Sequence, residues 1–479
     1  MPSAEPPPQP TTMLRARTLL ACLGLLAGCA AVGPDYRAPQ PELPAAWSQP
    51  DTPQPPPAAP DSRWWRRFDD PVLSGLVERA LAANPDVRIA AARLRAARAA
   101  SAQAESLLWP SVGAYGSATR SSSGGQGAVS HYGLGFDASW EIDLFGGLRR
   151  GAEAAGAGAQ ASAATLAATQ VSLAAEVARA YVQLRGYQLR AAITQANLDN
   201  QTLTLQIAQW RAQAGLVGQI DVEQARANRE QTRAQLPALQ DAATQAAHAL
   251  ALLLNQAPST LAPELAAAAE PSIPSAAAQP LAGIPADLLR RRPDIVAAER
   301  NLAAATARIG QAEAARYPSL QLSGTLGLQG AVLSALSGSG AATRLIGAGL
   351  TAPLFDAGRL RQQVVIQTAE QEQALAAYDA VLMAALGDVE NARSALANGA
   401  VRADALALAV RSARDAALLA GFRYQSGLVD FQTVLDTERS VRTLEDSQAS
   451  TRADNVIALI QLYKALGGGW SADVAPTTP

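Results

Sequence analysis

The feature that most constrains this chain is an internal duplication. The stretch NPDVRIAAARLRAARAASAQAESLLWPSVGAYG, which begins at Asn84, aligns without a gap with RPDIVAAERNLAAATARIGQAEAARYPSLQLSG, which begins at Arg292, an offset of 208 (292 − 84). Farther along, GLV at 215–217 matches GLV at 427–429, an offset of 212 (427 − 215). A chain that repeats itself in this way builds one structural unit twice, so its fold consists of two related halves.

Each half has the same order of predicted elements: a helix that begins with proline, two strand-like stretches, a very long helix and a return helix. The first half spans 63–257 and the second 285–470, with a linker at 258–284 between them and a tail at 471–479. The predicted elements are strands at about 111–120 and 131–142, a long helix at 148–214 and a return helix at 219–255 in the first half, and strands at about 319–329 and 344–352, a long helix at 358–425 and a return helix at 431–466 in the second.

The strand-like stretches have the length and alternation of transmembrane β-strands. In the first one, Val112, Ala114, Gly116 and Ala118 alternate with small, polar or aromatic residues. Each stretch has about ten residues, and a membrane-spanning strand needs about 9–11. A soluble four-stranded sheet is the alternative. Because lipid does not tolerate open sheet edges, four strands can span a membrane only if several copies of the chain close a barrel together.

The long helices indicate an extended assembly. Neither contains a proline, and the first would be roughly 100 Å long at about 1.5 Å per residue. Apolar residues recur along it every seven positions, as in a coiled coil, at Val177, Leu184, Ala191, Leu198 and Leu205. A compact domain does not need a helix of this length, whereas a structure that spans a compartment does.

The N-terminus has the pattern of a lipoprotein signal peptide. Within residues 1–28, Arg15 and Arg17 precede an apolar core at 19–26 that is too short to span a bilayer. The sequence LAGC ending at Cys29 resembles the lipobox of bacterial lipoproteins, in which the cysteine is acylated; an ordinary signal peptide with a chance cysteine is the alternative. Met13 is the better start, and the proline-rich residues 29–62 are expected to form a lipid-anchored tether.

The composition argues against catalysis. The two cysteines, Cys22 and Cys29, lie in the first thirty residues, and the two histidines, His131 and His248, are far apart in sequence. No phosphate-binding loop and no pairing of a nucleophile with a base is visible. We therefore expect a protein that is not an enzyme, with no metal and no cofactor. The formal net charge of −2 gives no reason to expect a nucleic acid partner.

Three motifs carry a resemblance to a known family. The stretches FDDPVLSGLVERALAANPDVRIAAARL, IPADLLRRRPDIVAAERNLAAA and APLFDAGRLR, together with the lipobox and the duplicated order, resemble the lipoprotein efflux branch of the TolC-like outer-membrane factors from Cys29 to about Trp470. The resemblance implies a mainly α fold with transmembrane β-strands. It implies a homotrimer whose four strands per chain close a twelve-stranded barrel in the cell outer membrane, continued by a periplasmic α-helical barrel.

The function that the resemblance implies is an exit duct for drugs or other small toxic compounds. It would act with a periplasmic adaptor protein and an inner-membrane pump, of the resistance–nodulation–division class, which supplies the energy. A type I secretion duct is the alternative within transport, and a periplasmic coiled-coil lipoprotein with a structural role is the alternative outside it. The substrate, the adaptor and the pump remain open at this point.

The resemblance also implies roles for the tips between each long helix and its return helix. A rim that meets the adaptor would include Gly215, Leu216, Val217, Gly218, Gly427, Leu428 and Val429. On the residues alone, the glycines permit a tight reversal with left-handed backbone.

A periplasmic gate would include Asp436, Arg439, Arg423 and Asp430, with three copies of Asp436 forming an acidic ring and Asp430 as a partner of the arginines. A solvated helix surface is the alternative for these charges. Gln432 stands where the family commonly has leucine, so we do not expect a dry apolar ring at that level; Phe431, Val434 and Leu435 are the apolar residues that could contribute to one.

Overall fold

The computed structural model describes residues 31–40, 63–122, 124, 127–266, 272–275 and 292–468. The predicted signal peptide at 1–28, Cys29, most of the tether, the tail at 471–479 and much of the linker lie outside the described residues.

Helices make up most of the described chain. A short 3-10 helix at Trp64–Phe68 precedes the first α-helix, and a second one, Leu333–Ser337, lies between the last two strands. The α-helices are α1 (Pro71–Ala83), α2 (Pro85–Ser106), α3 (Gly147–Gln213), α4 (Gln219–Arg233), α5 (Gln235–Leu253), α6 (Ala262–Ala266), α7 (Pro293–Ala314), α8 (Arg359–Gln425) and α9 (Phe431–Ala465). The strands are β1 (Ser111–Ser121), β2 (Val129–Ile142), β3 (Ser319–Gly330) and β4 (Ala342–Thr351).

The chain divides into two compact units. The first consists of Met1–Pro41, Ala92–Ala163 and Ala297–Ala380, and its described part contains the four strands. The second consists of Glu42–Ala91, Ala164–Val296 and Val381–Pro479, and its described part contains both reversals between long helices and return helices.

The four strands form one antiparallel sheet in the order β1-β2-β3-β4. In its register, Phe136 faces Leu326, Trp140 faces Leu322 and Leu320 faces Leu350. Since partners in an antiparallel ladder point to the same side, the even-numbered residues of all four strands share one face, which is mainly apolar. The odd-numbered residues, among them Ser111 opposite Ser139, make the other face mainly polar. The strands β1 and β4 are the edges of this sheet.

The duplication is visible in the element lengths. The helices α2 and α7 each have 22 residues, and α3 and α8 each have 67. Alanine dominates these helices, and no proline interrupts the two long ones. The strands and long helices begin and end within two residues of their predicted bounds. Among the described helices, none combines the length and the hydropathy needed to cross a bilayer.

The first return helix differs from the prediction, because it is not continuous over 219–255. It ends at Arg233, and a new helix begins at Gln235. The cause is Pro237, whose ring clashes with the carbonyl four residues earlier, at Arg233, and which has no N–H for that carbonyl. The second return helix has no proline and runs unbroken over 35 residues.

The second unit has an aromatic core. Trp64 is buried and stacks on Tyr463 near the end of α9, with ring centroids 5.3 Å apart. Beside it, the buried Arg292 donates from Nη1 to the carbonyl of Ala465 at 3.0 Å and pairs with Asp294 and Asp388. A cation at the C-terminal end of a helix satisfies its last carbonyls and its dipole, so this contact fixes the start of the second repeat against the end of α9.

Candidate functional site

The two long helices end in the same backbone turn. At the first tip, Gly215 has a φ of 73° and donates its N–H to the carbonyl of Ala212 at 3.0 Å, while Leu216 donates to Arg211 at 2.9 Å. This is a Schellman motif, which needs a left-handed residue and therefore favours glycine. Gly218 differs from the expectation of left-handed backbone: its φ is −80°, and it occupies the N-cap of α4.

The second tip repeats this turn with another cap. Gly427 has a φ of 73° and donates to Tyr424 at 3.0 Å, while Leu428 donates to Arg423 at 2.9 Å. The N-cap of the following helix is Asp430, the residue that matches Gly218 at an offset of 212 (430 − 218). The second tip therefore has a side-chain cap that the first tip lacks.

Each tip exposes one apolar residue and partly buries the next. Leu216 and Leu428 are 68% and 73% exposed. In contrast, Val217 and Val429 pack against the tip core, a cluster formed by Leu205, Ala208, Val222, Ala225, Ala420, Tyr424, Phe431, Val434 and Leu435. Of the seven residues predicted for an adaptor-facing rim, the two leucines thus offer the largest apolar surface.

The tip core corrects one expectation about a constriction. Phe431, Val434 and Leu435 are buried against residues of the first hairpin. A side chain that fills a core cannot line an opening at the same time, so these three residues do not replace the family leucine at position 432. Gln432 itself is exposed, and its Nε2 donates to Asp436 Oδ1 at 3.0 Å.

Among the described residues, the side chain of Asp430 bonds to Thr433 and not, as predicted, to an arginine. Its Oδ1 accepts hydrogen bonds from the Thr433 N–H, at 2.9 Å, and from the Thr433 hydroxyl. These two bonds lower the pKa of the Asp430 carboxyl. Arg423 is exposed, and its side chain has no hydrogen-bond or ion-pair partner among the residues that the structure describes. The requirement to cap α9 therefore explains the position of Asp430.

Asp436 and Arg439 form an ion pair on the surface of α9. Arg439 Nη1 lies 3.0 Å from Asp436 Oδ1, and both side chains are about half exposed. An exposed pair of this kind contributes little to stability. The structure brings these two predicted gate residues together, and leaves Arg423 separate from them.

A polar seam joins the first hairpin, α3–α4, to the second, α8–α9. Four residues of α3 contribute to it at seven-residue intervals, which keeps them on one face of the helix. Their contacts are Arg190 Nε to Asp446 Oδ1 at 2.6 Å, Asn197 Nδ2 to Glu445 Oε2 at 3.0 Å, Thr204 Oγ1 to Glu438 Oε1 at 2.7 Å and Arg211 Nη1 to the Tyr424 carbonyl at 3.0 Å.

The seam contains a carboxyl group with an unusual environment. Glu438 Oε2 is buried and has no hydrogen-bond partner among the described residues, and the same is true of Gln201 Oε1. Both residues line a cleft of about 510 Å³ between α3, α8 and α9. Burial raises the pKa of Glu438, and the hydrogen bond from Thr204 opposes this only in part. Within the described residues, no three side chains of the histidine, cysteine, aspartate and glutamate types gather as a metal site would.

The seam was not foreseen from the sequence, although one signal pointed to it. At an offset of 212, Arg211 matches Arg423, whereas Ala212 matches Tyr424. The guanidinium of Arg211 lies over the Tyr424 ring, 4.4 Å from its centroid, and Arg423 has no such ring to contact. The arginine is thus present in both repeats, but the tyrosine is present only in the second. This difference identifies a contact that the first hairpin can make to the second but not the reverse.

Comparison with known proteins shows to which family this chain belongs. A model of the outer membrane efflux protein family matches residues 76–256 and matches again at residues 284–468. The chain belongs to the outer membrane efflux protein family. Each match covers one half of the duplication, so the repeat seen in this chain is the unit of the family itself. The family and fold are those of channels and transport proteins.

The names of relatives in this outer membrane efflux protein family state different cargoes. The pyoverdine export outer membrane protein OpmQ of Pseudomonas putida is 35% identical over 446 residues, covering 91% of this chain and 93% of OpmQ. The antibiotic efflux pump outer membrane protein ArpC of Pseudomonas putida is 32% identical over 460 residues, covering 93% and 94%.

The outer-membrane channel OprN, a solved structure, superposes with a TM-score of 0.84 at 38% identity, covering 92% of this chain and 99% of that chain. The predicted family, the mainly α fold with a four-stranded sheet, the outer-membrane location and the efflux function are confirmed.

Proposed function

We propose that this outer membrane efflux protein is a homotrimeric exit duct of a tripartite pump, through which an inner-membrane pump expels drugs or other small toxic compounds by way of a periplasmic adaptor. The chain itself catalyses no reaction in this proposal, because the pump supplies the energy. OpmQ and ArpC are similar to this chain to nearly the same degree, so similarity alone does not choose between pyoverdine and an antibiotic as cargo.

The observation that carries the proposal is the sheet. Its apolar face exposes Leu134, Phe136, Leu326, Ile346 and Leu350, a surface that water disfavours and lipid accepts. Its edges β1 and β4 need partners, since open edges are not stable in lipid. Three copies would supply twelve strands. A periplasmic coiled-coil lipoprotein would have no use for this face, which argues against that alternative.

We propose that the N-terminus is anchored by acylation of Cys29. The described segment that follows is held firmly: the Val32 N–H donates to the Phe145 carbonyl at 3.0 Å, and Asp35 pairs with Arg150 at 2.6 Å. Ala31 contacts Gly146, in the turn between β2 and α3. Two residues span at most about 7 Å. An acyl chain on Cys29 would therefore begin near the end of the sheet at which β2 ends, and could enter the bilayer that the sheet spans in this proposal.

The tips serve two roles in the proposal. The exposed Leu216 and Leu428 would be the apolar contacts for the adaptor, with the remaining rim residues shaping the turns. The second tip would carry the gate, in which Asp436 and Arg439, with Arg423 free to reach a neighbouring copy, hold the periplasmic opening closed. The polar seam would keep the second hairpin against the first in this closed state, so opening would require its contacts to break.

The proposal is tested by reconstitution. The mature protein, extracted in detergent, is expected to have the mass of three chains plus lipid on Cys29 and to insert channels into planar bilayers. In a strain that lacks its own exit duct but retains adaptor and pump, it is expected to restore resistance. A monomer that forms no channels, or a peptide mass that shows an unmodified Cys29, would contradict the trimeric duct or the lipid anchor respectively.

A further inference from the structure

The apolar face of the sheet contains two arginines and, within the four described strands, no other charged residue. This face consists of the even-numbered strand residues, among which Arg120 of β1 and Arg344 of β4 are charged. The carboxylates of the strands, Asp137 and Glu141, have odd numbers and lie on the opposite face. Both arginines are exposed, and neither has a hydrogen-bond or ion-pair partner among the described residues. The two cations therefore lack a counter-charge on their own face.

Both arginines lie at the same end of the sheet. Arg120 is the last residue but one of β1, and Arg344 is the third residue of β4. The opposite end is the one that joins the helices, because β1 follows α2 and β4 precedes α8. In the proposed duct the long helices lie in the periplasm, so the arginines lie near the outer surface of the membrane. A transmembrane strand accepts arginine near a membrane interface far more readily than at the midplane.

A groove on the apolar face leads to Arg344. It has a volume of about 290 Å³, and its lining includes Ala138 and Gly324, which are register partners on β2 and β3. The larger Phe136 and Leu326, also register partners, line it on one side, and Leu326 faces Arg344. The small residues leave a depression beside the large ones. An apolar groove with a cation at one end fits an acyl chain that is attached to an anionic head group.

The duplication brings the two arginines together in the proposed trimer. Inside the chain, Leu134 of β2 is the register partner of Leu328 of β3. Arg344 corresponds to Leu134 at an offset of 210 (344 − 134), the offset that also relates LF at 354–355 to LF at 144–145. Arg120 corresponds to Leu328 at the offset of 208 (328 − 120). Where β4 of one copy pairs with β1 of the next in the equivalent register, Arg344 lies directly opposite Arg120 of the next copy.

Two arginines that lie opposite each other require an anion. Like charges at directly opposed positions of two strands destabilise the pairing of those strands. The strands have no carboxylate on this face, so the anion has to come from the membrane. A phosphate group is well suited, because each guanidinium presents paired N–H donors that match two phosphate oxygens.

We propose that Arg344 of one copy and Arg120 of the next bind a phosphate group of a phosphorylated glycolipid, with one acyl chain of that lipid in the groove over Ala138 and Gly324. The outer leaflet of an outer membrane consists mainly of such a glycolipid, lipopolysaccharide, whose lipid A part carries both phosphates and acyl chains. The site requires the proposed trimeric duct, because the two arginines come from different copies, and it goes beyond that proposal by naming a lipid ligand.

The test is native mass spectrometry of the protein in detergent with added lipid. Three lipids are compared on the unmodified protein: lipid A, lipid A from which a phosphatase has removed the phosphates, and phosphatidylglycerol. We expect lipid A to bind most tightly. Without its phosphates it should bind at least about tenfold more weakly, since the loss of one hydrogen bond to a charged group has an effect of about that size.

Arginine variants test the position of the site. The double variant R120A/R344A should bind lipid A at least about tenfold more weakly than the unmodified protein. It should bind the dephosphorylated lipid as the unmodified protein does. The matched control is R402A/R411A, which removes two exposed arginines of α8 that lie outside the sheet and have no partner among the described residues. This control should bind lipid A as the unmodified protein does.

The mass of the protein separates failure of this site from failure of the proposed function. A monomer in detergent overturns both. A trimer overturns the site and leaves the duct in place if lipid A binds equally well with and without its phosphates, or equally well to both double variants. Phosphatidylglycerol that binds as tightly as lipid A overturns the assignment to a glycolipid. Because the three lipids are compared on the unmodified protein, that comparison decides the question even if R120A/R344A does not assemble.

Discussion

Arg211 of the first hairpin holds Tyr424 of the second through two contacts at once. Its guanidinium lies 4.4 Å from the centroid of the Tyr424 ring, and its Nη1 donates to the Tyr424 carbonyl at 3.0 Å. That carbonyl also accepts the N–H of Gly427, which forms the second turn. The link therefore connects the first hairpin to the residue on which the turn of the second hairpin is built.

Removing this link should loosen the second tip. A contact between a cation and an aromatic face contributes about 1 kcal/mol, and a loss of that size raises the population of locally open states roughly fivefold. We expect Arg211→Ala to speed hydrogen exchange in the segment 424–435 by about this factor. Arg402→Ala is the matched control, since Arg402 is an exposed arginine of α8 that lies outside the tip and has no partner among the described residues. Equal effects of the two variants would refute a specific role for Arg211.

Loss of the ion pair at the second tip should open the channel. We expect the double variant Asp436→Ala, Arg439→Ala to raise single-channel conductance in planar bilayers while changing stability by at most about 0.5 kcal/mol, because the pair is exposed.

The first tip offers a matched control for the gate. Glu223 and Arg226 have the same spacing of three residues and similar exposure on α4. Their replacement by alanine should leave conductance unchanged, and conductance that stays the same in both double variants would argue against a gate at Asp436.

Glu438 should make the seam sensitive to pH. Its pKa in the folded protein is raised above the ordinary value of 4.5 by burial, so between 4.5 and the raised value the folded chain binds a proton that the unfolded chain does not. Stability contributed by this group is therefore present below pH 4.5 and is lost as the pH rises through the folded pKa.

The Glu438→Gln variant removes this titration. Relative to the unmodified protein, we expect it to gain stability between pH 4.5 and pH 7.5, on the order of 1 kcal/mol, seen as a higher midpoint of thermal unfolding in detergent. A constant difference between Glu438→Gln and the unmodified protein across this range would show that Glu438 does not titrate there.

Charges at the two exposed tip leucines should block coupling to the adaptor. We expect Leu216→Glu with Leu428→Glu to abolish resistance in the complementation assay, because burying an unpaired carboxylate in an apolar contact is costly, while the trimer still forms. Leu333→Glu is the control, since Leu333 is as exposed as Leu216 but lies in the 3-10 helix between β3 and β4. Full resistance in the tip variant would remove the leucines from the adaptor contact.

Local features of the fold were predictable because they depend on few neighbouring residues. Glycine at 215 and 427 permits the left-handed turn, alternation marks the strands, and the absence of proline allows the 67-residue helices. The break at Ala234, which the predicted return helix did not include, is equally local and follows from Pro237, three residues later. Because the chain is duplicated, these signals occur at equivalent positions in both halves.

The candidate site was less predictable. Asp430 and Arg423 are close in sequence and opposite in charge, which suggested an ion pair, but the free backbone donors at the start of α9 compete for the carboxylate and bind it. Phe431, Val434 and Leu435 look suited to a constriction in sequence, but the first hairpin covers them. In both cases the partner of a side chain depends on which other groups the fold brings near it.

The sequence by itself determined that the chain is built from two copies of one unit, that each copy has two strands and a reversal between long helices, and that its family exports small molecules. Only the tertiary structure decided which side chains meet across more than 200 residues of sequence, such as Arg211 with Tyr424 and Thr204 with Glu438. Periodicity fixes the face on which a residue lies, but the partner on that face depends on how the helices are packed, and that is a property of the whole chain.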